Sequence, residues 1–100
     1  MKAYIIMYDI TPDKFRIALI KQLRKAGFYR IQKSVFLGST TIEKIKKLED
    51  FFNQNIEENE DSKDRFIIIP LDENILKKIK LININIDLAL YLGRKAVHFV

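Results

Sequence analysis

Residues 3 to 9, AYIIMYD, place Ala3, Ile5 and Met7 on one side of an extended chain and Tyr4, Ile6 and Tyr8 on the other. Both sides are apolar, which predicts a strand inside a sheet covered on both faces. Thr11 and Pro12 then offer a helix start, the threonine as N-cap and the proline at the first helical position, where its missing N–H costs nothing. Phe15, Ala18, Leu19, Leu23 and Ala26 recur at helical spacing, and Gly27 ends the run. Lys14, Lys21 and Lys25 fall on the opposite, solvated face.

FYRIQKSVFLG (28 to 38) alternates again. Tyr29, Ile31, Val35 and Leu37 share one side, and Phe28, Arg30, Gln32, Ser34 and Phe36 the other. The segment fits one bent strand or two strands meeting near Gln32 and Lys33, because no Gly, Asn or Asp marks a tight turn. Thr40 with Glu43 forms a capping-box pattern ahead of a second helix whose buried stripe is Ile45, Leu48, Phe52 and Ile56. EENEDSKD (57 to 64) reads as a solvated loop. RFIIIP (65 to 70) is a β-branched run closed by Pro70 and apolar on both faces. Asp72 is placed to cap a short helical turn reaching Lys80, and LININI (81 to 86) alternates as a half-buried strand. The tail from Asp87 to Val100 contains a break at Gly93 and ends in AVHFV, a candidate edge strand.

This order predicts an α+β fold, a ferredoxin-like βαββαβ sandwich with an additional C-terminal strand. Residues 1 to 86 form the domain with its extra strand, and 87 to 100 the tail. In such a sandwich both helices lie on one face of the sheet. The strands at 3 to 9 and 65 to 70 are apolar on both faces, so the other face also needs a cover. A second copy of the chain is the simplest one, with 81 to 86 adding to the partner's sheet edge. A homodimer is therefore expected.

Composition narrows the chemistry. A chain of 100 residues with 48% hydrophobic content has room for one core. It has no cysteine, which excludes a disulfide scaffold, a thiolate zinc site and a cysteine nucleophile. There is no signal-like start and no apolar run long enough to span a bilayer, so the expectation is a cytoplasmic protein without a membrane partner. Lys and Arg number 18 against 13 Asp and Glu, and five of those acids sit between 57 and 64. The remainder is more basic than the net +5 suggests, which fits an anionic partner such as nucleic acid and, equally on charge alone, an ordinary basic soluble protein.

Asp9 stands at the carboxyl end of the first strand, where burial would cost several kcal/mol unless a cation or donors met it. One reading makes it a cap for the following helix, a duty that Thr11 and Pro12 already cover. The other makes it a ligand or catalytic acid. A lone carboxylate is a poor magnesium site, and two copies of Asp9 across a dimer axis would supply the second. No Gly-rich phosphate loop, HExxH or nucleophile elbow occurs. His98, the single histidine, sits in an apolar tail and reads as a packed residue. Tyr4, Tyr8 and Phe36 are of a type that stacks bases, but no ribonucleoprotein signature accompanies them. Lys44, Lys46 and Lys47 read as a solvated helix face.

YIIMYDI, the arginine of DKFR, YRIQKSVFLG and FIIIPL together resemble the small CRISPR-associated spacer-acquisition proteins of the Cas Two family, often labelled CRISPR-associated endoribonucleases. The resemblance runs in order over residues 3 to 86. It implies a ferredoxin-like homodimer with packed sheets and the last strand crossing to the partner. It implies that Asp9 is the magnesium-coordinating acid together with its twin, and that Tyr8, Arg16, Arg30, Ser34 and Phe36 fall at functional or motif positions. Arg16 and Arg30 would join Asp9 in catalysis by contacting phosphates. Tyr8, Ser34 and Phe36 would bind substrate.

The resemblance leaves two roles. One is a magnesium-dependent endonuclease on RNA or double-stranded DNA. The other is a non-catalytic bridge that holds a DNA duplex for a separate CRISPR integrase subunit. A messenger-RNA-cleaving toxin of the VapD type, which shares the fold, is a further alternative.

Overall fold

The computed structural model describes residues 1 to 86. Its elements are β1 (Lys2–Asp9), α1 (Asp13–Lys25), β2 (Tyr29–Gln32), β3 (Val35–Thr40), α2 (Ile42–Glu58), β4 (Arg65–Leu71) and α3 (Glu73–Lys78). The strands form one antiparallel sheet in the order β2-β3-β1-β4, which is the ferredoxin-like arrangement. β1 is central and flanked by β3 and β4. The alternation read from AYIIMYD is what the ladder shows. Tyr4, Ile6 and Tyr8 face the two long helices and join Phe15, Leu19, Leu23, Phe36, Ile45, Leu48 and Phe52 in the main core. Phe52 links the layers by stacking on Phe66, with ring centroids 5.0 Å apart.

The opposite face of the sheet is only partly covered. Ala3, Leu37 and Leu71 are buried there beneath Leu76 of α3, with Ile5, Ile31, Ile79 and Leu81 packed around them. So α3 and the segment after it supply some of the cover that the sequence assigned wholly to a second copy. Ile67 and Ile69 of β4 remain 48% and 38% exposed on that face.

Residues 28 to 38 are two strands. β2 and β3 pair around a turn at Lys33 and Ser34, with Gln32 opposite Val35 and a bulge between Arg30 and Gln32. Ser34 has φ 66°, so it occupies the left-handed position that a glycine or asparagine would have announced. Gly27, at φ +93°, makes the expected helix stop.

Both long helices start one step later than the sequence suggests. Thr40 is not a cap: it is buried at the end of β3, opposite Lys2, and Thr41 caps α2 by accepting from the Lys44 N–H at 3.2 Å. At α1 the cap position is Pro12, with no side-chain cap, and the helix begins at Asp13. Thr11 instead donates its backbone N–H to Asp64 Oδ1 at 3.0 Å. β4 runs one residue past Pro70, which an edge strand tolerates. Asp72 caps α3 as expected, accepting from the Ile75 N–H at 2.8 Å.

Residues 81 to 86 are not a strand within this chain, and Asn83 sits in the left-handed region at φ 63°. An alternating pattern makes a strand only where an edge pairs with it. The expected edge strand near the C-terminus, Gly93 and His98 lie outside the described residues.

Candidate functional site at the end of the central strand

Asp9 is the last residue of β1. It is exposed, and its carboxylate has no hydrogen bond or ion pair among the described residues. By strand alternation it shares a sheet face with Ala3, Ile5 and Met7, the face away from α1 and α2. Across the ladder it stands opposite Arg65 of β4 without an ion pair between them. In a single chain Asp9 therefore carries no burial cost, contrary to what its apolar neighbours suggested. It sits at the rim of the partly uncovered apolar face that includes Ile67 and Ile69.

The turn after Asp9 is held from two sides. Arg16, one turn into α1, donates from Nη1 to the carbonyl of Ile10 at 3.2 Å and to that of Thr11 at 3.4 Å. Its Nη2 pairs with Asp13. From the other side, Asp64 fixes the Thr11 N–H. The other oxygen of Asp64 is buried and has no partner among the described residues. Arg16 thus braces the backbone that follows Asp9 rather than reaching outward alone. Arg65 and Asp64 are the two neighbours that the sequence did not single out. Arg65 is identified only by the ladder register, and Asp64 was absorbed in an acidic stretch read as a loop.

The remaining candidates divide between places. Tyr8 is buried on the helix side of the sheet, its ring 6.2 Å from that of Phe36, and its hydroxyl has no partner among the described residues. Tyr8 also donates its backbone N–H to the Ser34 carbonyl at 3.1 Å, which ties the β2–β3 turn to β1. Phe36 is fully buried, so it serves the core and offers no face for stacking in this chain. Arg30 is exposed on edge strand β2, directly opposite Phe36. The structure brings Arg30 and Phe36 together as cross-strand partners, not as neighbours on one continuous strand. Asp9 lies on the other side of the sheet from Tyr8 and Phe36.

Next to the Asp9 turn, an open hollow of about 860 Å³ separates the start of α1 from the end of α2. Phe15, Phe51 and Asn55 line its helical walls, and Asp64 its rim. Among the described residues no group of three His, Cys, Asp or Glu side chains is arranged to hold a metal ion, and no helix is long and apolar enough to cross a membrane.

Residues 1 to 79 match the family described as CRISPR associated protein Cas2. A CRISPR-associated endoribonuclease Cas2 of Korarchaeum cryptofilum is 32% identical over 73 residues, covering 73% of this chain and 75% of the relative. A second, from Francisella tularensis subsp. novicida, is 36% identical over 55% of this chain and 57% of its own length. Among solved structures, a chain of a partial Cas6-RT-Cas1–Cas2 complex superposes with TM-score 0.68 at 27% identity, covering 100% of this chain and 99% of that one. A hypothetical protein from Thermus thermophilus gives TM-score 0.52 at 28% identity over 71% of this chain and 82% of its own. The paired Tyr8-Asp9 end of β1 and the Arg30 to Phe36 hairpin thus sit in a chain that belongs to the CRISPR associated Cas2 family.

Proposed function

We propose that this chain is a CRISPR adaptation protein acting as a homodimeric, magnesium-dependent endonuclease on RNA or double-stranded DNA, and a partner of the spacer integrase. The observation that carries the reading is Asp9, a carboxylate without a partner among the described residues, at the rim of an apolar sheet face. One chain offers half of a donor set, since magnesium takes one or two carboxylates with waters and substrate phosphate. Asp9 of a second copy, brought up when the exposed Ile67 and Ile69 are covered, supplies the other half. When bound, the ion provides Lewis-acid stabilisation of phosphate charge and acidifies a water.

The chain's own residues have separable duties. Asp9 orients donors at the scissile phosphate. Arg16 keeps the following backbone fixed through the Ile10 and Thr11 carbonyls. Arg30, exposed on the edge strand, is available to offset phosphate charge. In the reaction a water gives up a proton as its oxygen bonds to phosphorus, the bond to the leaving sugar oxygen breaks, and the leaving oxygen takes up a proton.

The relatives named endoribonucleases support the nuclease reading. The match to a chain of a Cas1–Cas2 complex supports the integrase partner, and equally favours a second reading in which the dimer is a non-catalytic DNA bridge. The deciding experiment measures cleavage of RNA and duplex DNA, with and without magnesium, by purified wild type and Asp9→Asn. The nuclease reading expects metal-dependent cleavage that Asp9→Asn abolishes. Cleavage that persists in Asp9→Asn sinks the catalytic assignment. Spacer acquisition that survives Asp9→Asn in cells favours the bridge.

A further inference from the structure

β1 ends at Asp9 and α1 starts at Asp13, so residues 10 to 12 belong to neither element, and α1 has no side-chain cap to steady them. The direction in which Asp9 presents its carboxylate depends on the backbone on both sides of it. On the strand side the ladder fixes that backbone, with Asp9 in register with Arg65 and the Tyr8 N–H held by the Ser34 carbonyl. On the helix side, Arg16 donates to the carbonyls of Ile10 and Thr11 from its guanidinium and to that of Pro12 from its backbone N–H, the last at 3.0 Å. These bonds all run to a residue of α1, so they move with that helix. Of the bonds that hold residues 10 to 12, the one from the Thr11 N–H to Asp64 Oδ1, at 3.0 Å, reaches a distant part of the chain.

Asp64 is itself anchored. Its backbone N–H donates to Ser62 Oγ at 3.1 Å, and the Ser62 N–H donates at 2.8 Å to the carbonyl of Asn59, the C-cap of α2. The next residue, Arg65, opens β4 in register with Asp9. Where the ladder stops, the Asp64 side chain thus supplies one more acceptor, from a point tied both to the end of α2 and to the sheet. Its second oxygen, Oδ2, is buried and has no partner among the described residues. A buried acceptor without a donor lowers stability, so stability alone does not account for a carboxylate here. An acceptor locked in place and aimed at one amide is what the positioning of a neighbouring group requires.

We infer that Asp64 is a positioning residue for Asp9: by holding the Thr11 amide it fixes the backbone beyond Asp9, so that the carboxylate meets a magnesium ion in one orientation. The inference rests on the reading of Asp9 as the magnesium-coordinating acid, and its test separates the two. Asp64 touches neither the ion nor the substrate. Groups that orient a metal ligand without binding the metal govern affinity or rate by about ten- to a hundred-fold, and Asp64, acting through backbone, belongs at the lower end.

The test compares the full chain as wild type, Asp64→Ala, Asp64→Asn and Asp9→Asn, with melting curves setting a temperature at which all are folded. Asparagine keeps an acceptor for the Thr11 N–H and removes the charge, whereas alanine removes both. Magnesium is titrated while NMR follows the backbone amides of Asp9 and Ile10, a reading that needs no turnover. Cleavage of RNA and duplex DNA at saturating magnesium then gives kcat and KM. In Asp64→Ala the magnesium midpoint should rise about ten-fold and kcat fall by a similar factor, with KM within about two-fold of wild type. Asp64→Asn should stay near wild type in each reading. An Asp64→Ala protein with the wild-type midpoint and kcat overturns the inference and leaves the reading of Asp9 intact. An Asp64→Asn protein as impaired as Asp64→Ala also overturns it, because the charge and not the acceptor then matters. A wild type that binds magnesium without cleaving is judged by the midpoint alone, on the same criteria. A wild type that neither responds to magnesium at Asp9 nor cleaves, or an Asp9→Asn protein that does both as wild type does, overturns the reading of Asp9 and the inference with it.

Discussion

Asp9 and Arg65 face each other across the β1–β4 ladder on the side of the sheet away from the long helices, yet they form no ion pair. The carboxylate therefore has no partner among the described residues. Asp9→Asn is expected to leave the melting temperature at the wild-type value, because an exposed group without a partner among the described residues contributes little to stability. Thermal unfolding of both proteins checks this, and a clear drop in melting temperature would mean that Asp9 has a structural partner.

Arg16 is expected to act on the site through the backbone. Arg16→Ala removes the donors to Ile10 and Thr11 and the pair with Asp13, and should cost about 1–2 kcal/mol in chemical denaturation. Asp64→Ala, which strips the acceptor from the Thr11 N–H, should cost a similar amount. Thr11 and Asp64 lie on one strut, so hydrogen exchange of the Thr11 amide should quicken in Asp64→Ala. An unchanged exchange rate would show that the bond does not hold the turn.

Gly38 is required by packing. A Cβ there would come within 2.9 Å of Phe28, meeting its Cα and its ring. Gly38→Ala should destabilise the fold by about 1–3 kcal/mol through overpacking. Trimming the ring with Phe28→Leu relieves only part of this clash, since the Phe28 Cα remains, so the double mutant should recover little. Full recovery in a double-mutant cycle would place the clash in the side chain alone.

Ser34 holds a left-handed conformation that glycine adopts freely. Ser34→Gly should stabilise the hairpin by about 0.5–1 kcal/mol, read as a raised melting temperature. A fall would show that the serine side chain contributes more than its backbone strain removes.

Ile67 and Ile69 provide a test of the dimer that does not involve Asp9. The proposed dimer predicts that in sedimentation velocity the wild type runs as a dimer, and that lysine at both positions leaves a folded monomer. If the variant still dimerises, that face of the sheet is not the interface.

Much of the fold was legible because its strongest signals are periodic. The two-sided apolar alternation of β1 and the helical stripes of α1 and α2 placed each element on its correct face. Cap positions slipped by one because tertiary pairing outranks the local motif. Thr40 is claimed by the ladder opposite Lys2, and the Thr11 N–H by Asp64. The left-handed Ser34 hid the hairpin, since a serine is a weak turn signal. For the site, Asp9 was legible as a strand-end acid, whereas Arg65 became its neighbour only through the register of two strands far apart in sequence. Phe36 shows the reverse: a motif position whose burial assigns it to the core.

The bond from Thr11 to Asp64 spans 53 residues of chain. It imposes an order of events during folding and synthesis. β1, α1 and the β2–β3 hairpin contain everything needed to pair with one another, but the turn beyond Asp9 gains its second strut only when the chain has extended past residue 64 and β4 has docked. The backbone just beyond Asp9 is thus fixed from both sides only late, when the sheet edge beside it closes.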